Sequence, residues 1–99
     1  MVTEVFKFID GFMNYQVSNF GRVRNIKTGR FLKLGTINSG YHVVILSKGG
    51  KVKQESMHRL VAQEFIENPD NKKCIDHIDR NRSNNAVVNL RWVSNAENI

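Results

Sequence analysis

Residues 73–98 read KCIDHIDRNRSNNAVVNLRWVSNAEN, and the order of features in this stretch decides the fold. Lys73-Cys74-Ile75 is a short strand that leads into Asp76-His77. Residues 78–88 are mostly polar and form a long loop; Asn84 and Asn85 shape it, because asparagine tolerates left-handed backbone. Leu90-Arg91-Trp92-Val93 is a second strand. Ser94-Asn95-Ala96-Glu97 then matches a Ser-x-x-Glu capping box, in which both side chains satisfy free amides at the start of a helix. The sequence therefore predicts strand, Asp-His, loop, strand, helix start.

Working upstream, His58 to Ile66 places Leu60, Val61, Phe65 and Ile66 at helical spacing, which predicts an amphipathic helix. Asn68-Pro69 ends it, because proline cannot continue a helix and biases the residue before it towards extended backbone. Ahead of residue 57 the pattern changes to short strands joined by polar turns. Strands are expected at Tyr15-Gln16-Val17-Ser18, at Arg22 to Ile26, at Phe31 to Leu34, at Tyr41 to Ser47 and at Lys51 to Ser56. Lys48-Gly49-Gly50 turns the last pair. Strand alternation puts Arg22 and Arg24 on one face.

The 99 residues suffice for one domain or two small modules, divided here as a basic β module over 1–56 and a helix-plus-finger segment over 57–99. The net charge of +6 is unevenly spread. Residues 1–53 hold nine Lys/Arg against Glu4 and Asp10, whereas residues 54–99 hold six against seven acids. The first half is thus a candidate polyanion surface, and the second gathers acids, histidines and asparagines. No apolar run is long enough to span a membrane, and the start lacks a signal-peptide pattern, so a cytoplasmic protein is expected. Cys74 is the only cysteine, which excludes an internal disulfide and a thiolate zinc cluster.

Hydrolysis of a phosphodiester needs an activated water, charge neutralisation on phosphate and help for the leaving oxygen. An imidazole can take the water's proton near neutral pH, and a hard divalent cation on oxygen ligands meets the other two needs. Asp76-His77 offers both parts side by side. If the two strands form a hairpin and the following helix packs across it, Asn98 returns to Asp76 as a second oxygen ligand.

These residues carry a family resemblance. Cys74 to Asp79, Asn81, Asn84-Asn85, Asn89 to Ser94 and Glu97-Asn98 resemble the HNH homing endonucleases of phages and introns. Met57-His58-Arg59-Leu60-Val61-Ala62, Phe65-Ile66 and Asn68-Pro69 resemble the helix ahead of the nuclease finger. Gly11, Tyr15 to Asn19 and Gly21 to Arg24 resemble the β-rich module often fused to it. The resemblance implies an α+β fold: a small antiparallel β module, a connecting helix and a ββα-metal finger. It implies His77 as general base, and Asp76 and Asn98 as ligands of one divalent ion, Mg²⁺ or Mn²⁺. It implies that Asn89 braces the loop and orients the histidine. Double-stranded DNA is the implied partner, in a bacterial cytoplasm or phage-infected host, with monomer and homodimer both open. The sequence departs from the family in placing Phe6 and Phe8 where a tryptophan usually opens the module, Asp79-Arg80 at a usual Asp-Gly turn, and Asn98 at the final His.

The remaining polar residues are read more plainly. His58 is a cap or packed polar group rather than a ligand, His42 is structural, and Trp92 and Cys74 belong to the core. Arg22, Arg24, Lys27 and Arg30 are candidates for the DNA backbone, with Arg91 a further phosphate contact. Two other readings stay open: a DNA-binding module without catalysis, and a subunit whose site a partner chain completes.

Overall fold

The computed structural model describes residues 3–96. Alternation builds the first sheet: in β2 (Phe12–Ser18) Tyr15 and Val17 are buried while Asn14 is exposed and Gln16 only partly covered. β2 pairs antiparallel with β1 (Phe6–Ile9) on one side and β3 (Val23–Asn25) on the other. The sequence reading missed β1 and began the first strand only at Tyr15. Asp10-Gly11 joins β1 to β2, with Gly11 at φ 84°, and an Asp-Gly pair between aromatic residues is the signal that could have found this hairpin.

The second sheet runs β4 (Gly35–Thr36), β5 (His42–Lys48), β6 (Lys51–Ser56) in that spatial order, all antiparallel. The strand expected over 31–34 does not form. Only Phe31 makes an isolated bridge, to Arg24, and the two-residue β4 takes the edge instead. Tyr15 Oη lies 3.0 Å from Ser47 Oγ and accepts from Ser47 N at 3.2 Å, which pins β2 to β5.

Helix α1 (Met57–Phe65) leaves β6 directly through the extended Ser56. Its buried stripe is Met57, Leu60, Val61 and Ala62. The helix ends before the proline does any work: Ile66 is already extended, and its N–H donates to Ala62 O at 3.0 Å. Asn68 instead closes the following turn, giving Nδ2 to Lys72 O at 2.8 Å and accepting from Lys72 N at 2.9 Å.

The last hairpin pairs β7 (Cys74–His77) with β8 (Leu90–Val93), Asp76 opposite Arg91 and His77 opposite Leu90. β7 therefore runs through Asp76-His77 rather than stopping at Ile75. A single 3₁₀ turn, Val87–Asn89, feeds β8. Trp92 is partly buried against the core and donates Nε1 to Ile66 O at 3.1 Å. Cys74, expected inside, is half-buried on the outer face with Sγ 2.8 Å from Asn95 Oδ1.

One core joins all these parts. Ile9, Val17 and Val23 of the first sheet, Val44 and Leu46 of the second, the α1 stripe, and Ile75 and Leu90 of the last hairpin form a single buried cluster. No helix among the described residues is long and apolar enough to cross a membrane.

Candidate active site

The period of β7 separates the two chemical residues. Ile75 and His77 face inwards, and Cys74 and Asp76 face outwards. His77 is only 5% exposed. Its Nε2 lies 2.8 Å from Asn85 Oδ1. An amide oxygen can only accept, so this contact is a hydrogen bond in the ring form that carries a proton on Nε2. Asn85, itself buried, is thus the ring's partner. The sequence reading gave Asn84 and Asn85 a left-handed backbone role. The structure corrects this: the positive φ of the loop sits at Arg80, φ 64°, and both asparagines act through their side chains.

The loop after His77 is an asparagine-carboxylate network. Asp79 Oδ1 accepts from Asn81 N at 2.8 Å and from Asn89 Nδ2 at 2.9 Å, while Oδ2 accepts from Asn84 Nδ2 at 2.9 Å. The Asn84 amide, the Asn81 amide and the Asn89 amide hold the Asp79 carboxyl below its ordinary range. Asn89 also donates to Asn84 O at 2.9 Å and accepts from Asp79 N at 2.9 Å. Its main-chain oxygen accepts from Ile78 N at 2.8 Å. Asn89 therefore grips the turn on both sides, whereas the imidazole itself is held by Asn85.

His58 closes the site from beneath. Its ring stands 5.2 Å from that of His77, edge-on at 65°, and 4.7 Å from Tyr41. Burial, then the charge of His77 and of Arg59, lower its pKa to about 4. Its Nδ1 is buried with no hydrogen-bond partner among the described residues. His58 is a packed polar group. Arg82 lies 4.8 Å over the Tyr41 ring and donates to Ser39 O, which fastens the loop to the second sheet.

Asp76, with 30% of its side chain exposed, faces Arg91 across the hairpin. Arg91 Nε and its terminal nitrogen reach Asp76 Oδ2 at 2.9 and 2.8 Å. Arg91 thus sits at the carboxylate and engages one of its oxygens. Asn98, the other candidate ligand, lies outside the described residues, as does Glu97 of the capping box. No group of three His, Cys, Asp or Glu gathers among the described residues. A solvent-reachable carboxylate with an amide oxygen is a hard-oxygen donor set, and it suits a Mg²⁺-like ion that keeps most of its waters.

The basic candidates of the first half are differently placed. Arg22 chelates Glu4 and stacks 3.9 Å over Phe31, and its guanidinium lowers the Glu4 pKa. Arg24 donates twice to Gln16 Oε1 and stacks 3.7 Å over Phe6. These guanidinium groups are held by their own chain. Lys27 and Arg30 are exposed on the turn that joins β3 to Phe31.

A NUMOD4 motif family model matches residues 4–47, and an HNH endonuclease family model matches residues 55–99. DNA endonuclease I-HmuI of Bacillus phage SP01 is 46% identical over 86 residues, covering 87% of this chain and 49% of that protein. H-N-H endonuclease F-TflII of Escherichia phage T5 is 33% identical over 92 residues, covering 91% of this chain and 48% of that protein. A solved structure of the HNH homing endonuclease I-HmuI, described as showing DNA binding and cleavage, superposes with TM-score 0.89 at 45% identity. It covers 95% of this chain and 55% of that one. The chain spans about half the length of these two curated relatives. On these matches and the shared fold, the chain belongs to the HNH homing endonuclease family and carries a NUMOD4 motif ahead of its HNH segment.

Proposed function

We propose that this chain carries the phosphodiester-hydrolysing centre of a DNA endonuclease that cuts one strand at a time. The observation that carries the reading is the hairpin β7–β8, which holds a buried imidazole, engaged at Nε2 by Asn85, directly beside an outward carboxylate. His77 Nδ1 accepts a proton from water as the water oxygen bonds to phosphorus. The bond from phosphorus to the 3′ oxygen breaks, and that oxygen takes a proton from solvent, leaving 5′-phosphate and 3′-hydroxyl ends. Asp76, with Asn98, would hold a divalent ion of the kind HNH nucleases generally use; when bound it neutralises phosphate charge and aids the leaving oxygen. Arg91, already at the edge of that carboxylate, is placed to hold a phosphate oxygen. Lys27 and Arg30 supply salt-dependent affinity for the backbone of double-stranded DNA.

One such centre cuts one strand, so a supercoiled plasmid should pass to open circles before linear product forms. Nicking should need Mg²⁺ or Mn²⁺ and stop in EDTA. His77→Ala should slow it by ~10²–10⁴-fold, the usual contribution of a general base. Equal rates for the variant would remove His77 from the mechanism. Plasmid bound but never nicked would favour a DNA-binding module without catalysis.

A further inference from the structure

The loop that holds His77 does not stand by itself. It is fastened to the N-terminal half of the chain at three places. Val87 N–H donates to Asn19 O at 2.8 Å. Arg82 donates to Ser39 O. Between them, Gly21 lies against Asn85 so closely that a Cβ on Gly21 would stand 3.0 Å from Asn85 Cβ and 3.1 Å from Asn85 O. Those are main-chain and root atoms, which cannot swing aside as a side-chain tip can.

We propose that the turn before β3, through Gly21 and Asn19, is part of the catalytic apparatus, with Asn85 the positioning residue that sets the tautomer of His77. The inference rests on the nuclease reading of His77, but its geometry does not. The turn is rigidly built. Ser18, fully buried, accepts at Oγ from Phe20 N at 3.2 Å and Arg22 N at 3.1 Å, and Gly21 N donates to Ser18 O at 3.0 Å. Asn19 ties the turn to the strand entering β1, accepting from Val5 N at 2.7 Å and donating to Thr3 O at 3.1 Å. Gly21 reaches its place at φ 87°, where glycine is nearly free of strain. Asn85 sits on this surface and meets the ring of His77 at Nε2, 2.8 Å from its Oδ1. Tyr41 and His58 fill space around the ring at 5.8 and 5.2 Å. Packing of that kind fixes where the ring lies but does not choose which nitrogen carries the proton. The Asn85 oxygen makes that choice, and a base with the proton on the wrong nitrogen loses most of its use.

The test reads the tautomer directly, from the ring nitrogen shifts of His77 by NMR in the full chain without DNA or metal, at a pH where the ring is neutral. Plasmid nicking and thermal melting are measured in parallel. Four variants are compared with the parent chain. The parent ring should carry its proton on Nε2. Asn85→Ala should give a mixed or reversed tautomer and at least ~10-fold slower nicking. Asn85→Asp keeps an acceptor and should keep the Nε2 proton. Gly21→Ala should disturb the tautomer, because its methyl presses on Asn85. Gly29→Ala is the control: Gly29 has φ 71°, so the backbone strain is comparable, but a Cβ there meets nothing within 4 Å. It should lower the melting temperature and leave the tautomer unchanged. An Asn85→Ala ring that keeps the Nε2 proton, a parent ring protonated on Nδ1, or Gly21→Ala behaving as Gly29→Ala does would each overturn the proposal. A parent chain that never nicks yet shows the Asn85-dependent tautomer would sink the nuclease reading and leave the positioning in place.

Discussion

His58 shows how a single residue can be read correctly in kind and missed in place. Its position at the start of a helix pointed to a packed polar group, and it is one. Its neighbours are the surprise, because Tyr41 and His77 come from a strand edge and a hairpin far along the chain. Folding holds the imidazole neutral, with its pKa lowered from 6.5 to about 4. The unfolded chain therefore binds more protons than the folded one between these values. The stabilising effect of this site is complete above about pH 6.5 and is lost as pH falls towards about 4. Melting temperature should drop across that window. His58→Phe keeps an aromatic ring, removes the titration and forfeits no hydrogen bond at Nδ1 to the described residues, so its melting temperature should fall less steeply. Parallel pH profiles for the two proteins would show that other groups cause the acid loss.

At the scale of elements, the turn after β7 and the helix α1 behave in opposite ways. Arg80 holds φ 64°, a left-handed backbone conformation that favours glycine. Left-handed backbone costs a non-glycine residue roughly 1–2 kcal/mol, and glycine returns about 0.5–1 kcal/mol of that as extra unfolded-state entropy. Arg80→Gly should thus stabilise by roughly 0–1.5 kcal/mol, while Arg80→Val should destabilise; urea unfolding compares them. The Asp79 network with Asn81, Asn84 and Asn89 holds the loop around this turn. Helix α1 depends on packing instead. Leu60, 2% exposed, faces the shared core, and Leu60→Ala should cost about 2–5 kcal/mol in the same experiment. A loss below ~1 kcal/mol would mean the core closes over the gap. The helix was legible because its apolar residues recur at helical spacing. β1 was not, because Phe6-Lys7-Phe8-Ile9 is too short to show a period and only the Asp10-Gly11 turn marks it.

For the whole molecule, charge is the property that sequence and structure divide between them. The basic half was evident from composition, but which cations their own chain engages was not. Arg22 and Arg24 are held by Glu4, Gln16 and two phenylalanine rings, whereas Lys27 and Arg30 stand on an exposed turn. Double-stranded DNA binding should weaken steeply with salt, and the log–log slope should flatten by about 2 when both Lys27 and Arg30 become alanine. Arg22→Ala should leave that slope nearly unchanged and lower thermal stability. Fluorescence anisotropy across a sodium chloride series distinguishes these outcomes. A slope insensitive to Lys27 and Arg30 would move the DNA surface to another face.

The sequence by itself determined the local features: the helix over most of α1, the two strands around Asp76-His77, the order of chemical residues and the family they resemble. Each is written in nearest-neighbour periods, turn residues or short motifs, which a linear reading can see. Only the tertiary structure decided the contacts between distant segments. Asn85 meets His77 because a polar loop folds back over a strand, and Gly21 meets Asn85 because two halves of the chain bury one core. Arg91 finds Asp76 because antiparallel register sets them opposite. Such pairings depend on how apolar faces pack in three dimensions, and no spacing along the chain encodes which polar atoms that packing brings within 3 Å.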